Sequence, residues 1–280
     1  MIATLTVRRL HSTDVAALAR VLRRAYESEQ NFERRLRSYL HLRDMETFVA
    51  DLDGEPVGMV VANDYGPTAY VSQMAVDPTF QGRGIGTQLM DGLTGWADSW
   101  GFAALELDAT AAGEPLYARY GFVTKGQTVV YHAVKRGGEM RAARRYVAAD
   151  REAVLAADAR AFGADRCEVL AQLVGVASNV TLVDGPRGAP DGYAVAQLHS
   201  DAIGPVVAPH ATAAARLIDA ARAFLPAAHR ISLPSENRAA AAIVTARDYR
   251  CAKSLAHMVR GRRPRAARQA LFARINLGQG

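Results

Sequence analysis

The spacing of apolar residues changes repeatedly along the first 136 positions, between a period of two and a period near 3.6. TLTVRRL (4–10) alternates and predicts a short strand. Val15, Leu18, Val21 and Leu22 then share one helix face, with Ser12, Thr13 or Asp14 as the cap. Phe32, Leu36, Tyr39 and Leu40 mark a second helix. TFVADLDGEPVGMVVAND reads as two strands joined at Asp53-Gly54, a hairpin signal. AYVSQMAV (69–76) is a fourth strand, and a helix runs to about Trp100 after the glycine-rich QGRGIG (81–86). AALELDA (103–109) is a fifth strand, GEPLYARYGF a short helix stopping at Gly121, and TVVYHAV (128–134) a final strand.

The pattern then starts again. KRGGEM (135–140) predicts a linker, and RRYVAAD (144–150) matches RRLHSTD (8–14) in register. Amphipathic helical patterns follow both and close on an aromatic, Tyr26 and Phe162. MAVDP (74–78) has a counterpart in VVAP (206–209), and LELDAT one in ISLPSE. One architecture used twice is the expectation, with halves at 1–136 and 140–280.

Composition narrows the class. The chain has 280 residues, half of them apolar, enough for a sizeable core in one large domain or two ordinary ones. No apolar run approaches the roughly 20 residues needed to span a bilayer, and the N-terminus lacks the order of a signal peptide. A cytoplasmic protein without membrane association is expected. Cys167 and Cys251 form no CxxC pair and are expected as ordinary thiols, and the histidines show no ligand spacing, so no metal is expected. The net charge of +6 divides into −2 for residues 1–136 and +8 for the rest. No aromatic interleaving accompanies the basic end, so nucleic acid is not the expected partner.

The candidate chemistry lies at QGRGIG. A strand, a glycine-rich turn and a helix aim backbone N–H groups at an anion, and the helix adds its partial positive charge. The spacing is neither GxGxxG nor a P-loop. In its context, MAVDPTFQGRGIGTQLM resembles the acetyl-CoA pyrophosphate signature Q/RxxGxG/A of the GNAT superfamily of N-acetyltransferases, with Gln81, Gly84 and Gly86 at its fixed positions. LYARYGF (116–122) resembles that superfamily's next motif, a short helix carrying a tyrosine, here Tyr117. The whole also resembles a bacterial tandem subgroup whose C-terminal half is degenerate.

The resemblance implies an α/β fold: two tandem GNAT-like units, each a mostly antiparallel twisted sheet flanked by helices. It implies acetyl-CoA as co-substrate, held at Gln81, Gly82, Arg83, Gly84, Ile85, Gly86 and Thr87. Met74, Ala75 and Val76 would pair with the pantetheine arm, and an N–H near Ala75 or Val76 would stabilise an oxyanion. Tyr117 would protonate the departing thiolate. Thr110 stands where many relatives have asparagine, and Tyr70 where some have a glutamate base. Asp108 is one candidate base, set against a role as a turn cap, and deprotonation through water is the alternative. Glu27, Glu29, Asp64, Tyr70 and Gln73 are candidates for binding the acceptor, a small-molecule or peptide amine.

The second half has no glycine loop after VVAP. Asn237 matches the asparagine position absent from the first half, but Val244 replaces the tyrosine. One active site per chain is therefore expected, with the second half shaping the acceptor site or mediating a homodimer contact. A non-enzymatic acyl-CoA sensor is the alternative function.

Overall fold

A computed structural model describes residues 4–139 and 143–280. The predicted linker ends, and the predicted second half begins, at residue 140, outside the described residues. The N-terminal elements run β1 (Leu5–Arg9), α1 (Val15–Tyr26), α2 (Glu33–Tyr39), β2 (Met45–Leu52), β3 (Glu55–Asp64), β4 (Thr68–Val76), α3 (Ile85–Trp100), β5 (Ala104–Ala109), α4 (Glu114–Arg119) and β6 (Val123–Ala133). The order repeats as β7 (Arg144–Arg145), α5 (Arg151–Phe162), α6 (Cys167–Ala171), β8 (Asn179–Asp184), β9 (Gly192–Gln197), β10 (Ala202–Val207), α7 (Ala211–Arg222), β11 (Arg230–Pro234), α8 (Arg238–Thr245) and β12 (Tyr249–Gly261). A short β13 (Leu271–Ala273) follows.

The matched heptapeptides make the same structure. Arg8 forks onto Asp14 at 2.7 and 2.9 Å, and Arg144 onto Asp150 at 2.7 and 2.8 Å. Each aspartate also accepts a backbone N–H three residues back, from His11 or Val147. Each fork therefore fixes a strand end to the start of α1 or α5, satisfying N–H groups that a helix start leaves open.

The thirteen strands of the described residues belong to one mixed sheet. Its main path runs β1-β2-β3-β4-β5-β12-β6-β11-β10-β9-β8-β7, and β13 pairs with β10. The centre is an exchange between the repeats. β12 lies antiparallel between β5 and β6, from Tyr249↔Ala133 to Val259↔Val123 on one side and from Ala256↔Ala109 to Gly261↔Ala104 on the other. β6 in turn pairs with β11. Each repeat's sixth strand thus lies beside the other repeat's fifth. Sequence periodicity places strands but carries nothing about a partner more than 100 residues away.

Alternation sorts the side chains to two faces. Val49, Met59, Val61 and Ala75 pack with α1 and α2, while Ala50, Val60, Ala62 and Val71 pack with α3. Tyr65 and Tyr70 pack with α5 and α6 of the second repeat. The ladder between β3 and β4 slips between Val71 and Gln73, making Ser72 a bulge. The bulge resets the alternation, so Tyr70, Gln73 and Ala75 share the α1 side and Val71 and Met74 the α3 side.

Candidate active site

β4 and β5 run parallel from Thr68↔Ala104 only as far as Val71↔Leu107. Beyond the Ser72 bulge, β4 continues to Val76 paired with β3 alone. Among the described residues, the β5-facing edge from Gln73 to Val76 has no strand partner. Backbone donors and acceptors on such an edge need a partner, from water or an extended ligand.

The glycine stretch lies at the open end of this cleft. Asp77 accepts from Thr79 N at 3.0 Å and Thr79 Oγ1 at 2.8 Å, and forms an ion pair with Arg24. Gln81 Nε2 donates to Val76 O at 3.2 Å, tying the loop to β4. Gly82 and Gly84 have φ of 76° and 79°, and a Cβ at either would meet no atom within 4 Å. Left-handed backbone and open space together explain the glycines. Gly84 caps α3 and brings no side chain to bond the first N–H groups of the helix. Gly86 lies inside the first turn, where a Cβ would approach Leu116 at 3.3 Å and Met74 at 3.5 Å. It serves packing between α3, α4 and β4. Arg83 lies over the Phe80 ring, and Arg119 reaches Thr87 Oγ1 at 3.5 Å.

Tyr117 comes from α4 on the same side. Its hydroxyl is 3.5 Å from Met74 Sδ, and its ring packs edge-on against Phe122. Burial raises the phenol's pKa above its ordinary value, with Tyr26 adding to the effect, so the group keeps its proton. Thr110 Oγ1 accepts from Gly113 N at 3.3 Å, a turn contact before α4. The Tyr120 hydroxyl lies 2.8 Å from Thr87 O and 2.6 Å from Asp91 Oδ1.

From the α1 side, Tyr26 donates to Met74 O at 2.9 Å and Tyr39 donates to Gln73 Oε1 at 3.4 Å. Burial pushes the Tyr39 phenol up to about 12. Sequence reading did not single out either tyrosine as a site residue, since each fits the apolar stripe of its helix. Glu27 and Glu29 are exposed beyond the end of α1. Asp64 accepts from Gly66 N in the turn before β4.

The structure brings Tyr70 and Asp108 together. Tyr70 donates to Asp108 Oδ2 at 2.8 Å, Thr128 donates to Oδ1 at 2.7 Å, and His257 Nδ1 is 3.1 Å from Oδ1. The other imidazole nitrogen is 3.1 Å from Glu106 Oε2. Burial alone would raise the Asp108 pKa, but the Arg274 charge and the bonds from His257 and Thr128 outweigh it and the net shift is downward. Asp108 is therefore an ionised anchor of a buried network, with both oxygens engaged. Glu106 and Asp108 alternate on the polar side of β5, a pattern visible in LELDA. Their partners are His257, on the exchanged β12, and Arg274, just beyond β13, and neither gave a local signal.

Residues 15–122 match the acetyltransferase (GNAT) family, and residues 154–273 match a second acetyltransferase (GNAT) domain family. The chain carries two GNAT acetyltransferase domains in tandem. It is 27% identical over 196 residues to the uncharacterized N-acetyltransferase YitH of Bacillus subtilis (strain 168), covering 67% of this chain and 68% of that one. Its fold resembles a putative acetyltransferase from Pyrococcus horikoshii, with a TM-score of 0.87, 23% identity and coverage of 99% and 96%. A GCN5-related N-acetyltransferase from Sphaerobacter thermophilus gives a TM-score of 0.65 at 18% identity, covering 93% and 96%. Among the described residues, no helix is long and apolar enough to cross a membrane, and no cluster of three or more metal-ligating side chains occurs.

Proposed function

We propose that the chain transfers the acetyl group of acetyl-CoA to a primary amine, at one site between β4, β5 and the start of α3. The observation that carries this reading is the β4 edge without a strand partner, leading to a helix N-terminus with no side-chain cap and two left-handed glycines. An extended amide-bearing arm satisfies the edge, and a pyrophosphate satisfies the N–H groups and the helix dipole. The residues present fit such a ligand, since no atom lies within 4 Å of a Cβ built on Gly82 or Gly84.

In the reaction, the neutral amine attacks the thioester carbonyl. A C–N bond forms, the C–S bond breaks, and the nitrogen loses its proton to water or a base. A β4 backbone N–H stabilises the developing oxyanion. Tyr117 stays protonated at neutral pH and is the candidate to protonate the sulfur as it leaves. Asp108, held ionised by its partners, acts by fixing Tyr70 at the cleft apex; proton removal falls to water.

The second repeat is proposed to hold no acetyl-CoA, because the chain fills its own cleft. β10 and β11 pair only at Ala202↔Arg230 and Ile203↔Ile231. Beyond them β13 pairs with β10, Val206↔Ala273 and Val207↔Leu271. Asn237 donates to Gln269 O and Leu271 O, both at 3.0 Å, and so pins β13 in place.

The test is calorimetry with acetyl-CoA followed by thiol release over a panel of amines. One acetyl-CoA per chain and thiol release with at least one amine are expected. Binding without release from any amine would favour an acyl-CoA sensor, and no binding would overturn the reading.

A further inference from the structure

Residues 276–280, just beyond β13, run back across the first repeat, and buried side chains of both repeats bind their main chain. Asn63 Nδ2 donates to Gly278 O at 3.0 Å, and the Tyr65 hydroxyl donates to Gln279 O at 3.1 Å. Arg166 donates to Gln279 O at 3.1 Å and to Gly280 O at 2.8 Å. All three donor residues are at most 2% exposed. The segment's own side chains turn inward instead: Asn276 donates to Gln279 Oε1 at 2.8 Å and accepts from Gly278 N at 2.7 Å. Successive carbonyls bound by fixed donors are how a groove holds peptide backbone, whatever its side chains.

This groove meets β4 where its open edge begins. A Cβ on Gly278 would meet Ser72 O at 2.7 Å, and one on Gly280 would meet Phe162 at 2.7 Å and Tyr70 at 3.1 Å. The segment thus lies directly against the Ser72 bulge, too close for a side chain at 278. In the acetyl-transfer reading the cofactor lies toward α3, so the amine approaches β4 from the α1 side. On that side β4 is bounded by Tyr39 and Tyr26, bonded to Gln73 and to Met74 O, and by residues 276–280 against Tyr70 and Ser72. A segment tethered to β13 competes with a free peptide at an effective concentration on the order of millimolar.

We propose that residues 276–280 determine acceptor specificity: they fill the main-chain groove beside the β4 bulge, so the acceptor is a small amine and not an extended polypeptide. This rests on the acetyl-transfer reading above.

The test uses the full chain with glycinamide and propylamine, and with hexapeptides that present the same kinds of amine, as an N-terminal glycine or a central lysine. Thiol release is followed for each, with acetyl-CoA affinity measured separately. The better small amine is expected to exceed the better peptide in kcat/KM by at least about tenfold. Gly278 has no left-handed φ, so Gly278→Val acts through its bulk against Ser72. In that variant the ratio is expected to fall to within about threefold of one, because the peptide is used better, with acetyl-CoA affinity held within about twofold. Peptides used as well as small amines by the unmodified chain, or a ratio that does not fall in Gly278→Val, overturn the inference. So does an equal loss for both kinds of amine, which marks a structural glycine. If Gly278→Val does not fold, Tyr65→Phe decides, since it removes only the hydroxyl on Gln279 O. There the ratio is expected to fall by about threefold, and an unaltered ratio overturns the inference. Thiol release without preference for small amines sinks only this inference, whereas absence of acetyl-CoA binding, or release from no amine, sinks the acetyl-transfer reading itself.

Discussion

Helices α3 and α7 follow corresponding strands, β4 and β10, yet they begin differently. α3 starts at Gly84 with left-handed backbone, no side-chain cap and open space beside it. α7 starts at His210, whose Nδ1 accepts the N–H of Ala213 at 3.1 Å. The strands differ in the same sense: β4 leaves a free edge where β10 carries β13. In the second repeat the chain itself supplies the cap and the extra strand. In the first repeat both places are open to a ligand. One fold can thus leave the same backbone groups open or close them with its own chain, with a few side chains deciding which.

The strongest way to break this comparison is to fill the open side. Gly84→Asp places a negative charge at the helix N-terminus, in a left-handed conformation that aspartate tolerates. Acetyl-CoA affinity is expected to fall by at least about 100-fold, with the fold retained by circular dichroism. Unaltered affinity in calorimetry would remove the glycine turn from the proposed site. This substitution tests the turn more cleanly than one at Gly86, whose surroundings are packed.

Tyr117→Phe comes next. It keeps the ring against Phe122 and removes only the hydroxyl near Met74 Sδ. Turnover is expected to drop by about 100-fold, in the range of general acid catalysis, with acetyl-CoA affinity held within a few-fold. Matching turnover in the two proteins would leave Tyr117 as a packing residue.

The residues that sequence reading found and missed divide by distance along the chain. The repeat was legible because the Arg-to-Asp fork is local: six residues separate Arg8 from Asp14 and Arg144 from Asp150. The glycine turn and Tyr117 were legible because each lies within one strand-to-helix unit. Asp108 was noticed, but its role was not, since His257 is 149 residues away and arrives on an exchanged strand. Arg274 was hidden by distance along the chain as well, since it follows β13. The exchange also alters how the second repeat can be tested: removing residues 140–280 takes β12 out of the sheet centre and exposes edges of β5 and β6. Such a truncation tests the sheet and says nothing of a dispensable accessory role.

The two forks offer a smaller, symmetrical test. Asp14 and Asp150 both have lowered pKa values. For Asp14, burial works upward and is outweighed by the Arg8 fork and the His11 N–H; for Asp150, the Arg144 fork is the largest influence. A lowered folded-state pKa gives stability that is present above the unfolded value near 4 and lost as pH falls through the folded one. Asp14→Asn and Asp150→Asn are each expected to lower stability at pH 7 by about 1–3 kcal/mol, with the deficit shrinking below pH 4. Acetyl-CoA binding is expected to persist in Asp150→Asn. A deficit that stays constant down to pH 2 in urea unfolding would rule out the ionised fork as its origin.

The smallest effect concerns the closed side. His210→Ala removes the side-chain cap of α7 while leaving β13 on β10 and Asn237 on β13. The expected loss is about 1 kcal/mol, typical of a helix cap. Acetyl-CoA stoichiometry should stay at one per chain, because uncapping the helix does not free the β10 edge. A second equivalent binding in His210→Ala would mean that the cap alone kept the second repeat closed, and would shift the weight of the comparison from the strand to the helix. An unaltered stoichiometry with the predicted loss of stability would instead place the difference between the repeats in β13, the strand that takes the position left open beside β4.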